Sequence, residues 1–206
     1  MIEIKNVCLN TVDMYMALVR AKYPMAKEIK DVKPITGIQE FMTNKDMPKL
    51  YKVAKTLASS PHGHGDDKFL RQIHISFDVI APRYWWQEFD TYHFVVKNSQ
   101  STMHRIKSFD VVDMMEDEVD TEILKRFIQI RQEYIDNPTE GNFRRVKANL
   151  PEGFLLGAGI TTNYGQLKTM YYQRKTHRLS EWREFCKFIE SLPLSEFIVG
   201  TTKERK

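Results

Sequence analysis

Apolar and polar residues alternate in two short stretches of the chain and recur at helical spacing in several longer ones. Ile2–Cys8 (IEIKNVC) alternates well enough for a short strand. In Gln72–Ala81 (QIHISFDVIA), His74, Ser76 and Asp78 alternate with Ile73, Ile75, Phe77 and Val79. That pattern predicts a strand buried on one face, ended by Pro82. Asn10 or Thr11 can cap a helix to about Tyr23, with Met14, Leu18 and Ala21 on one face and Pro24 beyond it. Asp46 caps a second helix with Leu50, Val53 and Leu57 as its buried stripe, stopping at the loop Ser59–Asp67 (SSPHGHGDD). Tyr84–Phe94 is rich in aromatics and is expected to start as a helix. Asp120 caps another, where Ile123, Phe127, Ile130 and Tyr134 share a face and Asn137-Pro138 closes it. A short helix around Gly141–Ala148 precedes Leu150-Pro151 and the glycine-rich Gly153–Gly159 (GFLLGAG). One long helix is then expected from about Thr162 to Ser191, ended by Pro193. Helices dominate and no βαβ alternation appears, so the expected class is α+β.

Composition narrows the picture. The chain has 206 residues, which suits a single domain over residues 1–200 followed by the polar tail Thr201–Lys206. Hydrophobic residues at 42% and charged residues at 28% support a packed core. A net charge of +4 permits an anionic ligand and argues against nucleic acid as the main one. Cys8 and Cys186 lie far apart, in no metal-type or redox-type spacing, so no metal is expected and a reducing, cytoplasmic setting is. No apolar run approaches a membrane span, and MIEIKNVCLN does not read as a signal peptide.

Candidate chemistry gathers in two places. Gln87–Arg105 packs amide, carboxylate, hydroxyl and imidazole groups between apolar strips, and its Asn98–Thr102 part (NSQST) reads as a donor-dense turn able to hold phosphate. A polar loop whose Ser and Thr satisfy their own backbone is the alternative. On the predicted long helix, Asn163, Leu167, Met170, Arg174, His177 and Glu181 fall on one stripe. Its mixture suits a helix lining a partly buried polar cavity, with the fork of Arg174 meeting a phosphate or a polarised carbonyl. An intrahelical ladder on a wet face reads nearly as well. Arg144, Arg145 and Lys147 form either a solvated basic face or an anion site. The basic run Lys168–Arg178, interleaved with Tyr171 and Tyr172, would suit a nucleic acid.

Phe77–Pro82 (FDVIAP), the aromatic helix start and Asn98–His104 (NSQSTMH) resemble the flavin-dependent thymidylate synthases. Their pattern is an F-x-V-x-A-P-like strand, then R-H-R, then S-x-N-E-x-S-x-R-Y. Lys147–Pro151 (KANLP) resembles the family's A-R-x-x-L-P, and Thr162–Leu167 its T-x-N-x-R-x-L. Gln173-Arg174 through His177 and Glu181-Trp182 resemble its L-R…H-A-Q-x-E. The order holds from Phe77 to about Trp182. Asn98, Ser101, Asn163 and Arg174 match. The family's R-H-R falls on Thr91-Tyr92-His93, its Glu on Ser99, its later Arg on Met103 and its phosphate-side Arg on Lys147.

The resemblance implies a helix-rich domain with a small, mainly antiparallel sheet. It implies transfer of a one-carbon unit from methylenetetrahydrofolate to C5 of dUMP, with reduced FAD as carrier, NADPH as reductant and no enzyme thiol. By position, Arg174 would contact and polarise the pyrimidine, and Lys147 would hold the nucleotide anion. Gln100, Ser101 and Thr102 would offer donors to phosphate. Thr91, Tyr92, His93, Asn98 and Asn163 would border the flavin. A homotetramer is implied as well. Two other readings stay open: a related pyrimidine-nucleotide enzyme with altered or lost FAD use, and a non-enzymatic nucleotide- or nucleic-acid-binding protein on the same scaffold.

Overall fold

The computed structural model describes residues 1–29, 35, 38–60 and 65–200. The loop expected at Ser59–Asp67 lies partly outside these residues and the tail Thr201–Lys206 wholly outside. Four strands are described: β1 (Glu3–Leu9), β2 (His74–Pro82), β3 (Val96–Ser99) and β4 (Leu155–Asn163). They form one antiparallel sheet in the order β1-β2-β4-β3. The helices are α1 (Thr11–Arg20), α2 (Ile38–Thr43), α3 (Met47–Ala58), α4 (Arg83–Phe89), α5 (Thr102–Arg105), α6 (Thr121–Asp136), α7 (Glu140–Ala148), α8 (Tyr164–Arg174), α9 (Ser180–Ser191) and α10 (Glu196–Val199). Short 3-10 turns occupy Tyr23–Met25 and Lys68–Gln72. The class is α+β, as the hydrophobic pattern predicts.

By packing, the chain forms two compact units. The first comprises Met1–Lys5, Asp78–Thr91 and Lys97–Gly159. Its core gathers Ile106, Val111, Met115, Phe127, Ile130, Val146, Leu150 and Phe154. Helix α6 starts where the Asp120 carboxylate accepts from the N–H groups of Glu122 (2.8 Å) and Ile123 (3.3 Å). Phe127 and Ile130 face inward as expected, whereas Ile123, in the first turn, stays 55% exposed. Helix α4 buries Trp85 and Phe89, stacked with ring centroids 4.9 Å apart.

The second unit comprises Asn6–Phe77, Tyr92–Val96 and the chain from Ile160 onward. Asn10 caps α1, whose Met14, Leu18 and Ala21 side are buried as the spacing predicts. On α3 the buried face is Leu50, Ala54 and Ala58, with Val53 and Leu57 half-buried. The expected stripe is rotated because α3 packs against both α1 and α10, and small alanines let neighbouring helices approach. Ile75 and Phe77 point inward from β2, Ile73 is buried just before it, and Phe77 meets Phe188 of α9 at 5.1 Å.

Two further expectations are corrected. The single long helix from Thr162 to Ser191 is the end of β4, then α8, then a break at residues 175–179, then α9. Ala158, Ile160 and Thr162 are buried alternately, which makes the segment that contains Gly157 and Gly159 a strand. The break is held by Arg183, whose Nη1 donates to the carbonyls of His177 and Arg178, both at 2.7 Å. The Asn98–Thr102 turn is likewise divided: Asn98 and Ser99 extend in β3, and Ser101 caps α5.

Candidate functional site

In the first unit, α7 carries Lys147 to Thr102. The Lys147 ammonium donates to Thr102 Oγ1, joining α7 to the first residue of α5. Burial, and then the nearby charge of Arg83, hold the Lys147 pKa below the ordinary lysine value. Arg83 is fixed by donating to the Leu150 carbonyl at 2.9 Å and by Glu152 at 3.5 Å. Two positive charges near the Thr102 hydroxyl make a place that favours an anion. Arg83 was missed from the sequence, although it directly follows the Phe77–Pro82 motif; its approach to Lys147 is long-range and leaves no local signal.

The neighbours predicted to bind phosphate are engaged locally. Gln100 donates its N–H to the Gly157 carbonyl at 2.9 Å, and its Oε1 accepts from the Gly157 N–H at 2.8 Å. A Cβ at Gly157 would lie 3.2 Å from that oxygen, so glycine accommodates the clasp. Ser101 Oγ accepts from the His104 N–H at 3.3 Å. Thr91 Oγ1 donates to the Glu88 carbonyl at 2.7 Å at the end of α4. Asn98 is exposed on β3.

In the second unit, Arg174 ends α8 inside a cage of side chains. Its Nε donates to the Tyr92 hydroxyl at 2.7 Å and its Nη1 lies 3.1 Å from His177 Nε2. The guanidinium carbon sits 4.6 Å from the centroid of the Trp182 ring and 5.5 Å from that of Tyr92. The Tyr92 hydroxyl donates in turn to Gln173 Oε1 at 2.9 Å. Each cation–π contact contributes roughly 0.5–2 kcal/mol, and together with the hydrogen bonds they fix the plane of the fork. Of the predicted stripe, Arg174 and His177 are brought together, and Trp182, which was not on it, joins them from α9 because the chain breaks rather than continuing as one helix.

Asn163 is the N-cap of α8, its Oδ1 accepting from the Gln166 N–H at 2.9 Å, which leaves its amide NH2 as a donor. His93 is exposed, and Phe94 beside it is 68% exposed at φ +57°. Arg71 lies over the Phe94 ring, 5.6 Å from its centroid.

The basic run Lys168–Arg178 is not one exposed stripe. Lys168 is buried, donating at 2.8 Å to both the Ala58 carbonyl and Asp67 Oδ2. Tyr171 is buried and donates to Glu190 at 2.7 Å. Burial pushes the Cys186 thiol up to about 12, so it is a poor nucleophile. Among the described residues no cluster of three or more His, Cys, Asp or Glu could hold a metal ion, and no helix is long and apolar enough to cross a membrane.

No family model and no curated protein matches the sequence. Solved structures do match its fold. Thymidylate synthase X from Helicobacter pylori, crystallised with FAD and dUMP, superposes with a TM-score of 0.69 over 96% of both chains at 12% identity. A second H. pylori structure of that flavin-dependent enzyme, complexed with FAD and dUMP, gives 0.63 over 95% of this chain and 96% of the other at 11% identity. The chain has the fold of the flavin-dependent thymidylate synthases. A UMP/dUMP methylase, PolB from Streptomyces cacaoi bound with 5-Br dUMP, is also similar, with a TM-score of 0.60 over 92% of this chain and 88% of the other at 15% identity. At these identities the likeness is one of fold, and each functional side chain must be argued from its own surroundings.

Proposed function

We propose that the protein transfers a one-carbon unit from methylenetetrahydrofolate to C5 of dUMP, using reduced FAD with NADPH as reductant, as a cytoplasmic homotetramer. The carrying observation is the caged Arg174, a guanidinium held by Tyr92, His177 and Trp182 in a chain of this fold. A fork fixed in this way can polarise a pyrimidine carbonyl, which stabilises negative charge on the ring as C5 becomes nucleophilic. Lys147, with Thr102 and Arg83, is assigned the phosphate. The raised Cys186 thiol accords with a route that needs no enzyme nucleophile.

The donor set fits a flavin in one respect: the Asn163 amide NH2 suits the acceptor edge of such a ring, and the exposed His93 imidazole lies in the segment assigned to it. When bound, FAD supplies the one-carbon carriage and the redox chemistry. A second reading, a related pyrimidine-nucleotide enzyme with altered FAD use, is favoured by one observation. The Thr91 and Tyr92 hydroxyls are engaged within the protein, and no arginine stands at 91–93.

Calorimetric titration with dUMP tests the role of Arg174. Arg174→Ala should weaken binding about 10- to 100-fold, the range expected for a charge-assisted hydrogen bond. Unchanged affinity rejects the assignment.

A further inference from the structure

We propose that Arg71 and Phe94 form a subsite for the planar, phosphate-bearing cofactor, with Arg71 supplying from another element the cation that residues 91–93 lack. This rests on the flavin reading above. Phe94 holds φ at +57°, a conformation that a bulky L-residue rarely adopts. Burial does not compensate it, because the ring is 68% exposed. The backbone is instead held from beneath: the buried Thr162 donates its hydroxyl to the Phe94 carbonyl at 3.1 Å. Strain that is enforced from the inside and presents an aromatic face outward is characteristic of ligand contacts.

Arg71 is placed with equal care. It comes from the 3-10 turn Lys68–Gln72, and its guanidinium lies 5.6 Å from the Phe94 centroid. No carboxylate pairs with it among the described residues. A Cβ at Gly165 would fall 2.8 Å from Arg71 Cγ and 3.2 Å from Asn163 Oδ1. The glycine at the start of α8 is what lets Arg71 run beside Asn163. A guanidinium selects phosphate oxygens, and an exposed ring selects a planar heteroaromatic. FAD joins two ring systems through a pyrophosphate, so one compound satisfies both.

The test uses the purified full chain. FAD affinity is read by flavin fluorescence, dUMP affinity by calorimetry without FAD, and stability by thermal melting. Arg71→Gln should weaken FAD binding at least about 10-fold, and Arg71→Lys should restore part of it. Phe94→Gly should weaken FAD binding while the melting temperature holds or rises, because glycine relaxes the left-handed backbone. A ring with only a packing role would lower the melting temperature instead, and that result overturns the proposal. Equal FAD affinity in wild type, Arg71→Gln and Phe94→Gly overturns the subsite and leaves the flavin reading standing. Loss of dUMP binding with FAD binding intact shows that the pair serves the substrate, which overturns the cofactor assignment. A wild-type chain that binds no FAD overturns both readings.

Discussion

The proposed chemistry rests on two cations, Arg174 and Lys147, and they are built in opposite ways. Arg174 is stabilised where it stands, its plane resting on Trp182 and its Nε tied to Tyr92. Lys147 is destabilised, by burial and by Arg83, so its pKa lies below the usual lysine value. Between that lowered value and the unfolded one, the unfolded chain holds a proton that the folded chain has released. Stability therefore rises with pH through this window, and at neutral pH the charged Lys147 opposes folding. Lys147→Met should raise the melting temperature at pH 7, or leave it unchanged, and weaken dUMP binding several-fold. The wild-type affinity should fall as pH rises through the lowered pKa. A lower melting temperature with unchanged dUMP affinity would mean that Lys147 is a structural tether to Thr102. At this scale the helical placement of Arg174 was legible, because Leu167, Met170 and Arg174 fall on one helical face. Gln100, Ser101 and Asn163 were legible as polar but not as clasps and caps, since a hydroxyl or amide reads alike whether it meets ligand or backbone.

Elements were legible where period and punctuation agree. Strand β2 alternates cleanly before Pro82, and Asp120 and Asn137 mark the two ends of α6. Strand β4 was not, because its two glycines hide the alternation of Ala158, Ile160 and Thr162. Neither was the α8–α9 break, which contains no Gly or Pro and is closed by the side chain of Arg183, reaching back from α9. Helix α8 is also pinned from within. Lys168, 3% exposed, is matched by Asp67 and the Ala58 carbonyl. Removing one member of such a pair leaves a buried charge, at a cost of about 3–5 kcal/mol, whereas an apolar isostere removes the demand. Asp67→Ala should therefore destabilise the protein, by denaturant unfolding, more than Lys168→Met does. The reverse order would show that the ion pair does not anchor α8.

For the whole molecule, composition and charge fixed a folded, mildly basic chain, and the resemblance in Phe77–Trp182 pointed to the fold that the solved structures share. The assembly state was not legible, because exposed apolar side chains such as Val96 and Met103 do not name their own partner. Light scattering should give four times the mass of the chain if the proposed homotetramer forms; a monomer at micromolar concentration would count against it. The central claim concerns C5 of dUMP. The direct measurement is tritium release from C5-labelled dUMP by the FAD-loaded protein with methylenetetrahydrofolate and NADPH. Release should require the flavin and fall at least about 100-fold in Arg174→Ala. Absence of release from a protein that binds both FAD and dUMP would contradict it.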